Sequence, residues 1–220
     1  MFVAKGAVVI DNSSAFRRDD NVPLVVPECN MSTGRIIANP NCTTICAMVA
    51  LKPLDDRYKL KRVVYSTYQA ISGAGANPQF AHPIENNLIT HIDGEEEKMQ
   101  FETRKILGRE DIAMSATCVR VPIANCHTIS INATFTDPVD IADVKKILKK
   151  SPGVILHDEP MPIFAHDRDE VLVGRIRMDE SHPNTINMIV VGDNIRKGAA
   201  TNAVQILQKL LEREQGRCKC

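Results

Sequence analysis

The sequence lacks several features that would place it at a glance. It has no net charge, because 27 Lys and Arg balance 27 Asp and Glu. No overall field therefore draws it to nucleic acid or to an anionic membrane, although a local pocket can still be basic. No apolar run approaches the roughly 20 residues of a membrane-spanning helix. The start, Met1-Phe2-Val3-Ala4-Lys5-Gly6, has none of the charged segment, apolar stretch and cleavage site of a secretory leader. The seven cysteines are odd in number and form no C-x2-C pair, which argues against a disulfide framework and for a reducing, cytoplasmic setting. Cys42 and Cys46 stand four apart, but no nearby Cys or His completes a zinc set, and no metal is expected. Cys218 and Cys220 read as a solvated, functionless end. Also missing is the opening strand, Gly-rich turn and helix of a dinucleotide-binding unit. The expectation is a chain that never had that unit, or the downstream part of a longer protein.

What is present centres on Asn39-Pro40-Asn41-Cys42-Thr43-Thr44. An extended apolar run, Ile36-Ile37-Ala38, leads into it. A helical pattern leaves it, apolar on nearly every side and therefore buried, with Pro53 expected to weaken or kink its last turn. Asn-Pro-Asn is turn chemistry, so Asn41 or Cys42 caps or begins that helix. A thiol at a helix N-terminus meets unpaired N–H groups and the positive end of the dipole. These favour thiolate, so the Cys42 pKa is expected below the usual value of about 8.5.

Along the chain, Ala7-Val8-Val9-Ile10-Asp11 reads as a short strand whose following loop, Asn12-Ser13-Ser14, is placed to carry a ligand. Val22 to Pro27 is strand-like. Leu60 to Tyr68 is a β-branched and aromatic strand that ends in the small-residue loop Gln69-Ala70-Ile71-Ser72-Gly73-Ala74-Gly75. Glu95 to Leu107, closed by Gly108, is a helix with acids at its start and bases at its end. Met114 to Val121 and Thr128 to Phe135 are strands, the second with clean alternation. An amphipathic helix spans Asp140 to Lys150. Strands follow at 154–156, 170–177 and 186–191, and their close spacing suggests antiparallel pairing. A final helix runs from about Asn194 to Glu212, with Ile195, Ala199, Ala203, Ile206 and Leu210 expected on its buried face.

Seven stretches then point the same way: Asp11 to Arg17, Val22 to Glu28, Asn39 to Thr44, Gln69 to Gly75, Glu102 to Leu107, Cys118 to Pro122, and Gly192 to Ala200. In this order they resemble the aspartate-semialdehyde dehydrogenase family, over residues 7 to 213. The resemblance implies an NADPH-dependent enzyme that interconverts L-4-aspartyl phosphate and L-aspartate 4-semialdehyde through a thioacyl enzyme, an early step toward lysine, threonine, methionine and diaminopimelate. By similarity Cys42 is the nucleophile, His127 the acid–base residue and Gln69 an orienting group. Arg120 pairs with the substrate carboxylate and Glu95 with its ammonium, with Glu96 as the alternative for Glu95. Arg17, Asn41 and Lys98 hold phosphate. Ser72, Gly73, Gly75 and Asn194 lie along the nicotinamide of NADP.

The implied fold combines α/β and α+β parts. Residues 1–40 are a remnant of a Rossmann-type NADP-binding domain. Residues 41–193 form an α+β catalytic and dimerisation domain, similar to the carboxy-terminal domain of glyceraldehyde-phosphate dehydrogenase, with a mixed, largely antiparallel sheet. Residues 194–220 return as a helix onto the remnant. A homodimer or homotetramer is implied, with a small-molecule substrate and neither nucleic acid nor membrane as partner. Where the family commonly has glycine before the histidine, this chain has Cys126, whose side chain is expected to crowd the pocket or resist a positive φ. Two other readings stand beside the enzyme: a catalytically silent dimerisation or interaction module from the same domain, and a sibling acyl-phosphate reductase.

Overall fold

The computed structural model describes residues 2–75, 80 and 83–217; Cys218 and Cys220 lie outside them. Near the start, β1 (Val9–Asp11) and β2 (Ile36–Ala38) pair in parallel. The stretch read as a strand over Val22 to Pro27 contributes only an isolated bridge, Leu24 to Ala38. Pro23 and Pro27 lack the N–H a ladder needs, and Pro27 instead opens the short helix α1 (Pro27–Asn30).

From β2 the chain enters α2 (Cys42–Tyr58), which is the core of the molecule. Ile45, Cys46, Ala47, Met48, Val49, Ala50, Leu51 and Leu54 are all buried. Pro53 sits inside this helix, which nevertheless continues to Tyr58. Next come β3 (Leu60–Gln69), α3 (Glu95–Leu107), β4 (Ala113–Arg120) and β5 (His127–Phe135). Then α4 (Ile141–Lys150), whose first N–H groups are capped by Asp140, leads to β6 (Val154–Leu156), α5 (Pro162–Ala165), β7 (Val171–Met178) and β8 (Thr185–Gly192).

The six longer-chain strands form one sheet in the order β4-β3-β5-β8-β7-β6. Three neighbouring pairs are antiparallel, β3–β5, β5–β8 and β7–β8. The pairs β3–β4 and β6–β7 are parallel. Antiparallel pairing thus fails for β6 and β7, because α5 and its flanking loops return the chain to the end it left. One face of the sheet presents Val63, Tyr65, Ile129, Ile131, Met188 and Val190 to the α2 core. The opposite face carries Val64, Ser66, Thr117, Ser130 and Asn187, none of them buried.

The final helix differs from the regular pattern. A π-turn (Arg196–Ala200) precedes α6 (Thr201–Arg217). The residues that turn inward are Lys197, Gly198, Asn202 and Ile206, while Ile195 is 51% exposed. A π-turn holds one more residue than an α-turn, so it displaces the inward face from the one that regular spacing predicts. Ile206 packs with Val25 and Ile37, flanked by Ile10, Met31 and Leu210, which seats α6 on the β1–β2 unit.

Candidate active site

Several element ends converge at one edge of this fold. Because β3 and β4 run in parallel with Gln69 opposite Arg120, both deliver their last side chain to the same place. Because β5 is antiparallel to β3 and β8, its first residue, His127, arrives there too, opposite Gly192. The N-terminus of α2 brings Cys42. Asn41 caps that helix, its side-chain carbonyl accepting from the N–H groups of Thr43 (2.9 Å) and Thr44 (3.4 Å).

The outcome is a cleft of about 430 Å³ lined by Arg17, Asn41, Cys42, Ser72, Gly73, Gly75, Glu95, Lys98 and Asn194, among others. Of the residues singled out from sequence, only Gln69, Arg120 and His127 stand behind this lining, and all three are buried. Cys42 Sγ lies 3.2 Å from His127 Nε2. Arg120 donates to the Ala70 carbonyl at 2.8 Å and reaches Gln69 Oε1 at 3.5 Å. Glu95 accepts from Lys98 Nζ (2.8 Å), Asn41 Nδ2 (3.1 Å) and Gln69 Nε2 (3.3 Å). Glu96 instead accepts from the Cys118 N–H, so Glu95 is the acid on the cleft. Gly73 has no room for a side chain: a Cβ there would lie 2.7 Å from Arg120 Nη1 and 2.9 Å from His127 Nε2. Asn194 accepts the Cys126 N–H and bonds Ser72 Oγ.

The electrostatics correct one expectation. Burial and the Glu95 carboxylate push the Cys42 thiol up to about 11, and its hydrogen bonds to Thr43 and the Arg120 charge offset only part of this. Burial outweighs the helix terminus because the sulfur loses more hydration than the N–H groups return. Burial, with Arg120 adding to it, pulls His127 down to about 3. At neutral pH the resting pair is thiol and neutral imidazole. The Ala70 N–H donates to His127 Nδ1 at 3.0 Å, so that nitrogen holds a lone pair and the ring proton sits on Nε2, facing the sulfur.

Cys126 takes the left-handed backbone, φ 74°, a conformation that costs a residue with a side chain about 1–2 kcal/mol. Its side chain leaves the cleft and packs with Ala165, Leu172 and Val191. The expected crowding does not occur.

The sequence reading missed several residues that hold the site together. Glu102, 1% exposed, accepts the Asn41 N–H (2.7 Å) and pairs with Arg17 (3.2 Å). Its position was legible, since residues 95, 98 and 102 share one helix face. Asn39 bonds Asn12 Oδ1 and the Ala199 carbonyl. Lys197, fully buried, donates to both carboxylate oxygens of Glu28 (2.7 and 2.8 Å) and to Gln205 (2.7 Å). A buried lysine within an apolar-looking helix gives no periodic signal. Among the described residues one group, His166, Asp167 and Asp193, gathers potential metal-ligand atoms within 4.8 Å, but the Asp193 carboxylate already accepts three backbone N–H groups.

A nucleotide-type half-unit beside an α+β domain, with a Cys–His pair between them over a cationic cleft, defines the semialdehyde dehydrogenase class. A model of the semialdehyde dehydrogenase dimerisation domain matches residues 51–197, and one of the semialdehyde dehydrogenase NAD binding domain matches residues 1–35. Within that class, aspartate-semialdehyde dehydrogenase from Aquifex aeolicus is 46% identical, covering 96% of this chain and 74% of its own length. The Synechocystis enzyme of that name is 45% identical over 94% of this chain and 73% of its own length. The crystal structure of aspartate semialdehyde dehydrogenase II from Vibrio cholerae complexed with ASA superposes with a TM-score of 0.91 at 39% identity, covering 96% of this chain and 74% of that one. The Candida albicans enzyme with NADP gives 0.81 at 30%, covering 94% and 71%. The chain belongs to the aspartate-semialdehyde dehydrogenase family, oxidoreductases with a nicotinamide cofactor.

Proposed function

We propose that this chain carries the chemistry by which L-4-aspartyl phosphate and L-aspartate 4-semialdehyde are interconverted, with NADP as the cofactor and Cys42 as the acyl carrier. The observation that carries it is the 3.2 Å approach of Cys42 Sγ to His127 Nε2 beside the Arg17 and Lys98 cations of the cleft. Cys42 attacks the acyl carbonyl, the sulfur–carbon bond forms and phosphate leaves. Ser72, Gly73, Gly75 and Asn194 on the cleft would hold a nicotinamide, which when bound would supply the hydride that releases the aldehyde.

The chain's own residues do the rest. His127, with its proton on Nε2, acts first as a donor: it steadies the sulfur as it ionises and then the oxygen of the tetrahedral species. Since Nε2 already carries a proton and Nδ1 accepts from the Ala70 N–H, the thiol proton leaves on the departing phosphate as hydrogen phosphate. Arg120 presents a guanidinium fork to the substrate carboxylate, Glu95 faces its ammonium, and Arg17, Lys98 and Asn41 take the phosphate. Gln69 orients the reacting group. Gly73, whose backbone packs directly on Arg120 and His127, would lie along the nicotinamide with Ser72, Gly75 and Asn194, which line the same cleft. Residues 1–40, 41–193 and 194–220 act as cofactor-side unit, catalytic unit and returning helix. The open sheet face of β3, β4, β5 and β8 pairs two copies into a homodimer, the unit of any tetramer.

The test is phosphate-dependent reduction of NADP by L-aspartate 4-semialdehyde, with and without Cys42→Ser. We expect a rate that falls at least about a hundredfold in the variant. An equal rate in the two proteins refutes the reading. The match to a dimerisation domain over residues 51–197 also admits a second reading, a silent dimerisation module. In that case Cys42 is alkylated no faster than the buried Cys46, and semialdehyde gives it no protection.

A further inference from the structure

A smaller cavity, of about 220 Å³, opens beside the cleft. It shares three lining residues with the cleft, Ser14, Arg17 and Lys98, and adds Arg18, Phe101 and Glu102. The two shared cations thus line both spaces. Their ion pairs are already made: Arg17 with Glu102 at 3.2 Å, and Lys98 with Glu95 at 2.8 Å. Glu102 is further committed to the Asn41 N–H. Arg18 is different. Among the described residues it has no carboxylate partner, and its guanidinium lies 5.1 Å over the Phe101 ring, a contact that orients a cation without neutralising it. Asp19 and Asp20 stand nearby, but they act on Lys105, which also lies 5.9 Å from that ring and donates to the Arg17 and Asp19 carbonyls. The lining of the smaller cavity therefore holds three cations against one carboxylate.

We propose that this cavity is a second inorganic phosphate subsite, outside the one beside Cys42, where phosphate is collected before it passes Arg17 and Lys98 into the cleft and through which it leaves. Arg17 and Lys98 are held by carboxylates while Arg18 is exposed beside Phe101, and cations grouped in this way bind oxyanions by charge-assisted hydrogen bonds. A surplus of positive charge at a cavity mouth also raises the local anion concentration and speeds entry. Arg18 is the residue that distinguishes the subsite, since it does not line the cleft. The proposal rests on the reading of the cleft as an acyl-phosphate site, and its test separates the two.

Inorganic phosphate is titrated against the whole chain at low ionic strength, where screening is weak, by equilibrium dialysis and ³¹P NMR. We expect about two phosphates per chain for the parent and about one for Arg18→Gln, with the remaining affinity within about twofold of the tighter parental value. Arg18→Lys should restore much of the weaker class. Thermal unfolding of each variant checks the fold. One phosphate in the parent, or two retained in Arg18→Gln, overturns this proposal alone. Loss of both in Arg18→Gln shows a single shared site and also overturns it. No bound phosphate in any of them overturns this proposal and the reading of the cleft together.

Discussion

Cys42 and His127 are 3.2 Å apart, yet their environments hold both neutral. With the thiol pushed up to about 11 and the imidazole pulled down to about 3, the thiolate fraction grows about tenfold per pH unit across the neutral range. We expect alkylation of Cys42 by iodoacetamide, followed by mass spectrometry, to keep rising from pH 7 to pH 10. A plateau by pH 8 would show that a thiolate–imidazolium pair forms after all. The positions of these residues were legible from motif order. Their protonation was not, because it depends on how much water each loses and on the Ala70 N–H, and neither is written in residue type. Cys126 shows the same limit. Its left-handed backbone is unusual for a cysteine, and it is held by Asn194, 68 residues away.

At the scale of the element, the π-turn before α6 matters most. It presses Gly198 so close to Cys42 that a Cβ there would lie 2.8 Å from Cys42 Cβ. Lys197 fixes the turn from behind through Glu28. Lys197→Met leaves that carboxylate uncompensated, and removing one partner of a buried pair costs about 3–5 kcal/mol. We expect the unfolding free energy from urea titration to fall by that amount, partly recovered by adding Glu28→Leu. A variant as stable as its parent would show that the pair holds nothing. Regular elements were the easiest to read. Glu95 to Leu107 with its closing glycine corresponds to α3, and the alternating stretch from Thr128 corresponds to β5. The inward face of the last helix was read correctly at Ile206 and Leu210 and wrongly at Ile195, which is exposed, because spacing rules assume an unbroken 3.6-residue period. Buried Lys197 and Asn202, paired far along the chain, share that face with the apolar residues.

For the molecule as a whole, the architecture followed from motif order, while the strand directions at the sheet edges needed the tertiary structure. The exposed side of α6 carries an apolar stripe among its charged residues: Val204, Leu207 and Leu211 are each about half exposed, as is Ile195 just before the helix. Contiguous apolar surface of this kind favours association. Leu207→Lys with Leu211→Glu is expected to lower dye binding and aggregation while changing the unfolding free energy by less than about 0.5 kcal/mol per site. A large destabilisation would mean that this side is covered in solution. The surplus residue in the turn ahead of it has its own consequence. The segment before it answers to the sulfur, and the segment after it answers to β1 and β2. The turn absorbs its extra residue locally, but deleting one from the regular helix between Thr201 and Gln205 would rotate everything downstream by about 100°, swing Ile206 away from Val25 and Ile37, and leave the cleft wall and the cofactor-side unit served by two halves of a helix no longer in phase.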